Sequence, residues 1–82
     1  MNEPNFPYKN YHALASQMLK IIIVDYQGKY LDYLQGKKEW FEISGYRKSI
    51  ITNYGRIMEL LFDMDAEDLI ATAERTVERE KL

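Results

Sequence analysis

Cysteine is absent from the 82 residues, which removes disulfides, thiol catalysis and thiolate metal sites and fits a reducing interior. Histidine occurs once, at His12, so a Ser-His-Asp site has one place to be built, with Ser16 a helical turn away; the ordinary reading is a helix residue at or near the surface. The two prolines fall within the first seven residues. The four glycines are scattered and form no phosphate-cradling loop. Residues 1–10 have no apolar segment of the secretory kind, and no apolar run approaches the roughly 20 residues of a membrane span. Neither a signal nor a membrane partner is expected.

What is present is an ordinary globular share of apolar residues, 46%. A chain of this length forms one domain that buries roughly 60 to 65% of its unfolded surface. Leu14 to Leu34 is the longest apolar stretch at helical spacing: Leu19, Ile22, Ile23, Tyr26, Tyr30, Tyr33 and Leu34 form one stripe, widened by Leu14, Met18 and Ile21. The segment Ile21 to Val24 is therefore expected to be covered on more than one side. Its β-branched residues alone would suit a strand, but the preceding helix formers from Ala13 to Lys20 decide for a helix.

Taken in order, Met1 to Pro7 reads as an extended arm, with Phe6 to pin it. The first helix begins between Tyr8 and Tyr11, with Asn10 one possible cap, and ends near Gln35, where Gly36 suits the left-handed position. A second helical region from Lys37 to Thr52 is expected to break at Ser44-Gly45, with Phe41 as core anchor and Trp40 a partly covered companion. Asn53-Tyr54-Gly55 reads as a turn and Ile57 to Phe62 as a short buried helix. Asp65 caps a last helix whose first turn carries Glu67 and Asp68 and whose stripe is Leu69, Ile70, Ala73 and Val77. Residues 78–82 are expected to fray. The fold class is all-α: a compact bundle of three to four helices within 1–82, with the long first helix central.

The net charge of −2 is unevenly spread: residues 1–36 balance, 37–58 carry +3 and 59–82 carry −5. Asp63, Asp65, Glu67 and Glu74 fit four positions of a calcium loop, but Asp68 stands where its sharp turn needs glycine, so capping is the better account and no metal or cofactor is expected. Glu39 and Glu42 beside Lys37 and Lys38 form a solvated face. Asp25 interrupts the apolar stretch, so it stands either at the edge of the stripe or, as the favoured reading, paired with Arg47 or Arg56. No arrangement here makes an enzyme.

Two surfaces stand out. Seven tyrosines and one tryptophan exceed what a small helical core can hide with every polar tip satisfied, so some are expected outside. Trp40, Tyr46 and Arg47 lie close together and are residue types that dominate protein interfaces. Arg47, Lys48, Ser49, Asn53 and Arg56 form the alternative, a basic segment suited to nucleic-acid phosphates.

Val24-Asp25-Tyr26, then Phe41, Ser44 and Tyr46, then an acidic turn and Leu69-Ile70, resemble a group of small uncharacterised proteins from phages and prophages of Gram-positive bacteria. The likeness extends over about residues 20–75; here Gly45 follows the serine and the segment from Asn53 to Phe62 is longer than the pattern. It implies an all-helical accessory protein in the cytoplasm of a bacterial host cell. The function expected from the residues is binding to a host or phage protein, or else to a second copy of this chain.

Overall fold

The run Ile21-Ile22-Ile23-Val24 is helical, as its flanks require: in the computed structural model, which describes residues 8–81, α1 covers Tyr8–Leu34 without a break. Phe6 and the expected arm lie outside the described residues. Because α1 begins at Tyr8, Asn10 stands inside the helix and does not cap it. Gly36 ends it as expected: with φ 81° it turns the chain left-handed, its N–H donates to Tyr33 O at 3.0 Å and that of Lys37 to Asp32 O at 2.7 Å.

The next helix, α2, is Trp40–Phe62, a single element of 23 residues that runs straight through both Ser44-Gly45 and Asn53-Tyr54-Gly55. The expected break and turn are absent. A helical glycine costs about 1 kcal/mol relative to alanine. Burying Ile43, Ile50 and Met58 on one side of the continuous helix is worth about 1.5–3 kcal/mol each, which outweighs two such costs. At its start the Glu39 N–H donates to the Glu42 carboxylate at 3.2 Å. At its end Asp63 adopts φ 52°, and its N–H and that of Met64 donate to Glu59 O and Met58 O, each at 3.1 Å.

After residues 63–65, α3 spans Ala66–Lys81. Asp65 caps it, its carboxylate accepting the Glu67 N–H at 3.0 Å, and Glu67 and Asp68 sit where the helix dipole favours negative charge. Ala66, Ile70, Ala73 and Val77 are its buried stripe, with Leu69 half-buried beside them. The segment expected to fray is helical to Lys81, and Glu78 accepts a hydrogen bond from Tyr30.

Tyr26 bonds to Glu74 and Tyr30 to Glu78, a constant offset of 48, so α3 runs parallel to α1, while α2 returns antiparallel between the two short connections. Every pair of helices packs together, so the core is shared by all three and α1, though the longest, is not central. Tyr26, Ile43, Met58 and Ile70 are fully buried in it, with Leu19, Tyr30, Ile50 and Val77 around them. The bundle is a narrow rod: α1 is about 40 Å long at the usual rise, against a cross-section of 23 × 18 Å. By the same offset Ala66 stands level with Met18, so residues 8–17 of α1 project past the start of α3. There the end of α2 supplies the packing: the His12 ring meets Phe62 edge-on at 4.4 Å and its Nε2–H donates to Leu61 O at 3.2 Å. Leu61 O is one of the last carbonyls of α2, which have no partner within their own helix.

Several expected core positions face water. Ile21 and Val24 are 64% and 65% exposed, because two neighbouring helices cover only one sector of α1. Phe41 is 74% exposed and Leu60 73%. Ile43 and Ile50 set which side of α2 is buried; Phe41 lies a further 100° towards solvent than Trp40, which packs against Tyr33 at 5.2 Å. Of the short segment expected to be well buried, Met58 alone is, with Leu61 and Phe62 half-covered.

Candidate interaction surface

A polar seam crosses the core where the three helices meet. Tyr26 of α1 donates to the Glu74 carboxylate of α3, and from α2 Arg47 brings Nε to 3.3 Å of the same carboxylate. That contact is an ion pair without the alignment a hydrogen bond needs. Four residues further along, Tyr30 donates to Glu78. Burial holds the Tyr26 hydroxyl far above the ordinary phenol range, and its bond to anionic Glu74 raises it further while Arg47 opposes. Tyr30 is raised in the same way, by burial first and by Glu78 second.

The seam corrects two expectations. Arg47 is committed to Glu74, and Asp25 pairs with neither arginine: Lys29, one turn on, reaches it at 2.8 Å. An exposed carboxylate with a lysine at i+4 needs no partner from another helix. Tyr26 and Tyr30 are buried with their hydroxyls satisfied, so two of the tyrosines are hidden at no polar cost. From the sequence Glu74 stood out only as a calcium-loop position, and Glu78 only as the start of the tail expected to fray. The signal was there: two tyrosines four apart and two glutamates four apart match in step when the helices that carry them run parallel.

On the side of the bundle away from α3, α1 and α2 enclose a hollow of about 340 Å³. Its floor is Ile22, Tyr26, Ile50 and Tyr54; Ile21, Asp25, Lys29, Tyr46, Ser49 and Asn53 form its rim. The Lys29 ammonium lies over the Tyr46 ring, 4.7 Å from its centre, and Asp25 hydrogen-bonds the same ammonium and holds its pKa above the usual lysine value. Asn53 donates to Ser49 Oγ at 3.2 Å across one turn of α2. Apolar depth with a few converging polar groups is the usual form of a binding hollow.

The structure thus gathers Tyr46, Ser49 and Asn53 of the sequence candidates at one place and separates the rest. Trp40 stands at the start of α2 against Tyr33, and Arg47 is turned into the seam. Lys48 and Arg56 are exposed and have no ion-pair partner among the described residues. Arg56 follows Ser49 and Asn53 at helical spacing along one flank, whereas Lys48 lies a residue off it. His12 and Ser16 make no bond to each other, and among the described residues no three acidic or histidine side chains gather to hold a metal. No described helix is long and apolar enough to cross a membrane.

Comparison with protein-family models, curated proteins and solved structures yields no match. The likeness to the phage group therefore rests on its residues alone.

Proposed function

We propose that this chain is a non-enzymatic interaction module that binds another protein through the hollow between α1 and α2. The observation that carries the reading is the hollow itself, an apolar floor with Tyr46 and the Asp25–Lys29 pair on its rim. A partner side chain entering it gains apolar contact below and charged or amide partners at the edge, the arrangement in which aromatic residues contribute most to binding. The reading needs no cofactor and no metal. The setting we propose is that implied by the phage-type residue pattern, the cytoplasm of a bacterial host cell, with a host or phage protein as partner.

The test is capture from a bacterial lysate by immobilised protein, with and without nuclease. A protein that is retained after nuclease and lost with Tyr46→Ala, while the circular dichroism spectrum stays helical, supports the reading; retention indifferent to Tyr46→Ala rejects it.

Lys48 and Arg56, which have no ion-pair partner among the described residues, lie beside Ser49 and Asn53 and favour one second reading, a nucleic-acid contact. Binding would then weaken steeply with salt, and Arg56→Ala would lower the slope by about one unit. No binding to DNA or RNA at low salt ends it.

A further inference from the structure

We infer that this chain pairs with a second copy of itself, antiparallel, along the outer face of α1. Leu14, Ile21 and Gly28 are seven residues apart and so follow one line along the helix, with Met18 and Val24 beside it. The line lies opposite the buried Leu19, Tyr26 and Tyr30, and all four of its large side chains are exposed. A helix apolar on both faces is the pattern of one covered all round, and monomers rarely leave such a contiguous row in water. This surface is distinct from the α2 side of the hollow, although Ile21 and Asp25 border both.

Shape and charge identify a copy as the occupant and fix its direction. The row is self-complementary about Ile21: in an antiparallel pair centred there, Leu14 of one copy arrives over Gly28 of the other. Gly28 has room for it, since, its chain neighbours and its own helix backbone aside, no described atom of the protomer lies within 4 Å of where a Cβ would stand. The same register sets Asn10 level with Asp32 near the seam, an amide donor beside a carboxylate. A parallel pair would instead bring Gly28 against Gly28 and leave a gap between the helices there. Between Asn10 and Val24 the one formal charge is Lys20, which is turned 100° from its neighbour Ile21 and so stands off the row.

Sedimentation velocity over a range of concentrations is expected to show a dimer. Ile21→Glu puts two carboxylates at the symmetry axis and should raise the dissociation constant about 100-fold or more. Tyr46→Ala, which tests the hollow, should leave the mass unchanged, so the two proposals fail separately. Gly28→Ala should weaken the dimer; in a lone protomer it would only raise Tm, because alanine is the better helix former. The chain has no cysteine, so Leu14→Cys and Gly28→Cys each introduce a single thiol. Mixed and oxidised, they should link position 14 to position 28, and neither should link to itself. This pair decides the matter if Ile21→Glu fails to fold. A monomer at every concentration, or a self-linked Leu14→Cys protein, overturns the inference.

Discussion

Tyr26 and Tyr30 carry neutral hydroxyls to carboxylates in a part-buried seam, and a phenol held there resists ionisation. In the unfolded chain both would lose their protons near pH 10. Above that pH the folded protein binds more protons than the unfolded one, so stability falls as pH rises; below it the contribution is fully present. Urea midpoints should therefore drop from pH 9.5 upward by an amount about proportional to these two groups. Replacing both by phenylalanine should flatten much of that slope, and tyrosinate absorbance should then show no groups that titrate only on unfolding. An unchanged slope would mean that other groups, Lys29 among them, dominate. The contrast between Ile43 and Phe41 is the second test at this scale. Ile43→Ala empties a fully buried site and should cost about 2–5 kcal/mol, whereas Phe41→Ala should stay within about 0.5 kcal/mol. Adjacent aromatics such as Trp40 and Phe41 carry no sign of which one faces inward. That choice is made by Ile43 and Ile50, whose own partners lie on other helices.

Among the elements, the end of α1 and the start of α3 were legible and the course of α2 was not. Gly36, Asp65, Glu67 and Asp68 act within one turn of themselves, so the sequence holds everything that decides them. Gly45 and Gly55 act against helix locally, and what overrules them is burial against α1 and α3, which lies outside any window of sequence. These two kinds of glycine respond oppositely to alanine. Gly45 has open space around a built Cβ and an ordinary helical backbone, so Gly45→Ala should raise stability by about 0.5–1 kcal/mol. Gly36 sits at φ 81°, where a side chain is strained, and Gly36→Ala should lower it by about 1–2 kcal/mol. Equal and like-signed shifts in thermal melts of the two variants would contradict the assignment of one to a helix interior and the other to its end. The hollow was half legible: Tyr46, Ser49 and Asn53 were nominated from one segment, but Asp25 and Lys29 join them only because α2 folds back along α1.

At the scale of the molecule, three helices of 27, 23 and 16 residues cannot cover one another equally. The all-helical class was readable from periodicity. A central first helix was not, because helical spacing says which residues are apolar and not how many neighbours will come to cover them. The shortest helix lies along the later part of the longest, and residues 8–17 of α1 are left with α2 alone. The energetic consequence is a gradient of local opening. Amide hydrogens of α1 should exchange with solvent in two groups: those from Leu19 to Leu34, flanked by both other helices, should approach the exchange free energy of global unfolding, while those from Ala13 to Gln17 should exchange through cheaper partial openings. His12→Ala removes the bond that ties the projecting end to Leu61 O, and should speed exchange from Ala13 to Gln17 while leaving Leu19 to Leu34 near the wild-type rate. Uniform protection along α1 would mean that the helix opens as a single unit. Should the graded pattern hold, α1 fuses two zones of unequal permanence within one unbroken helix, and its early turns can be remodelled without unfolding the rest.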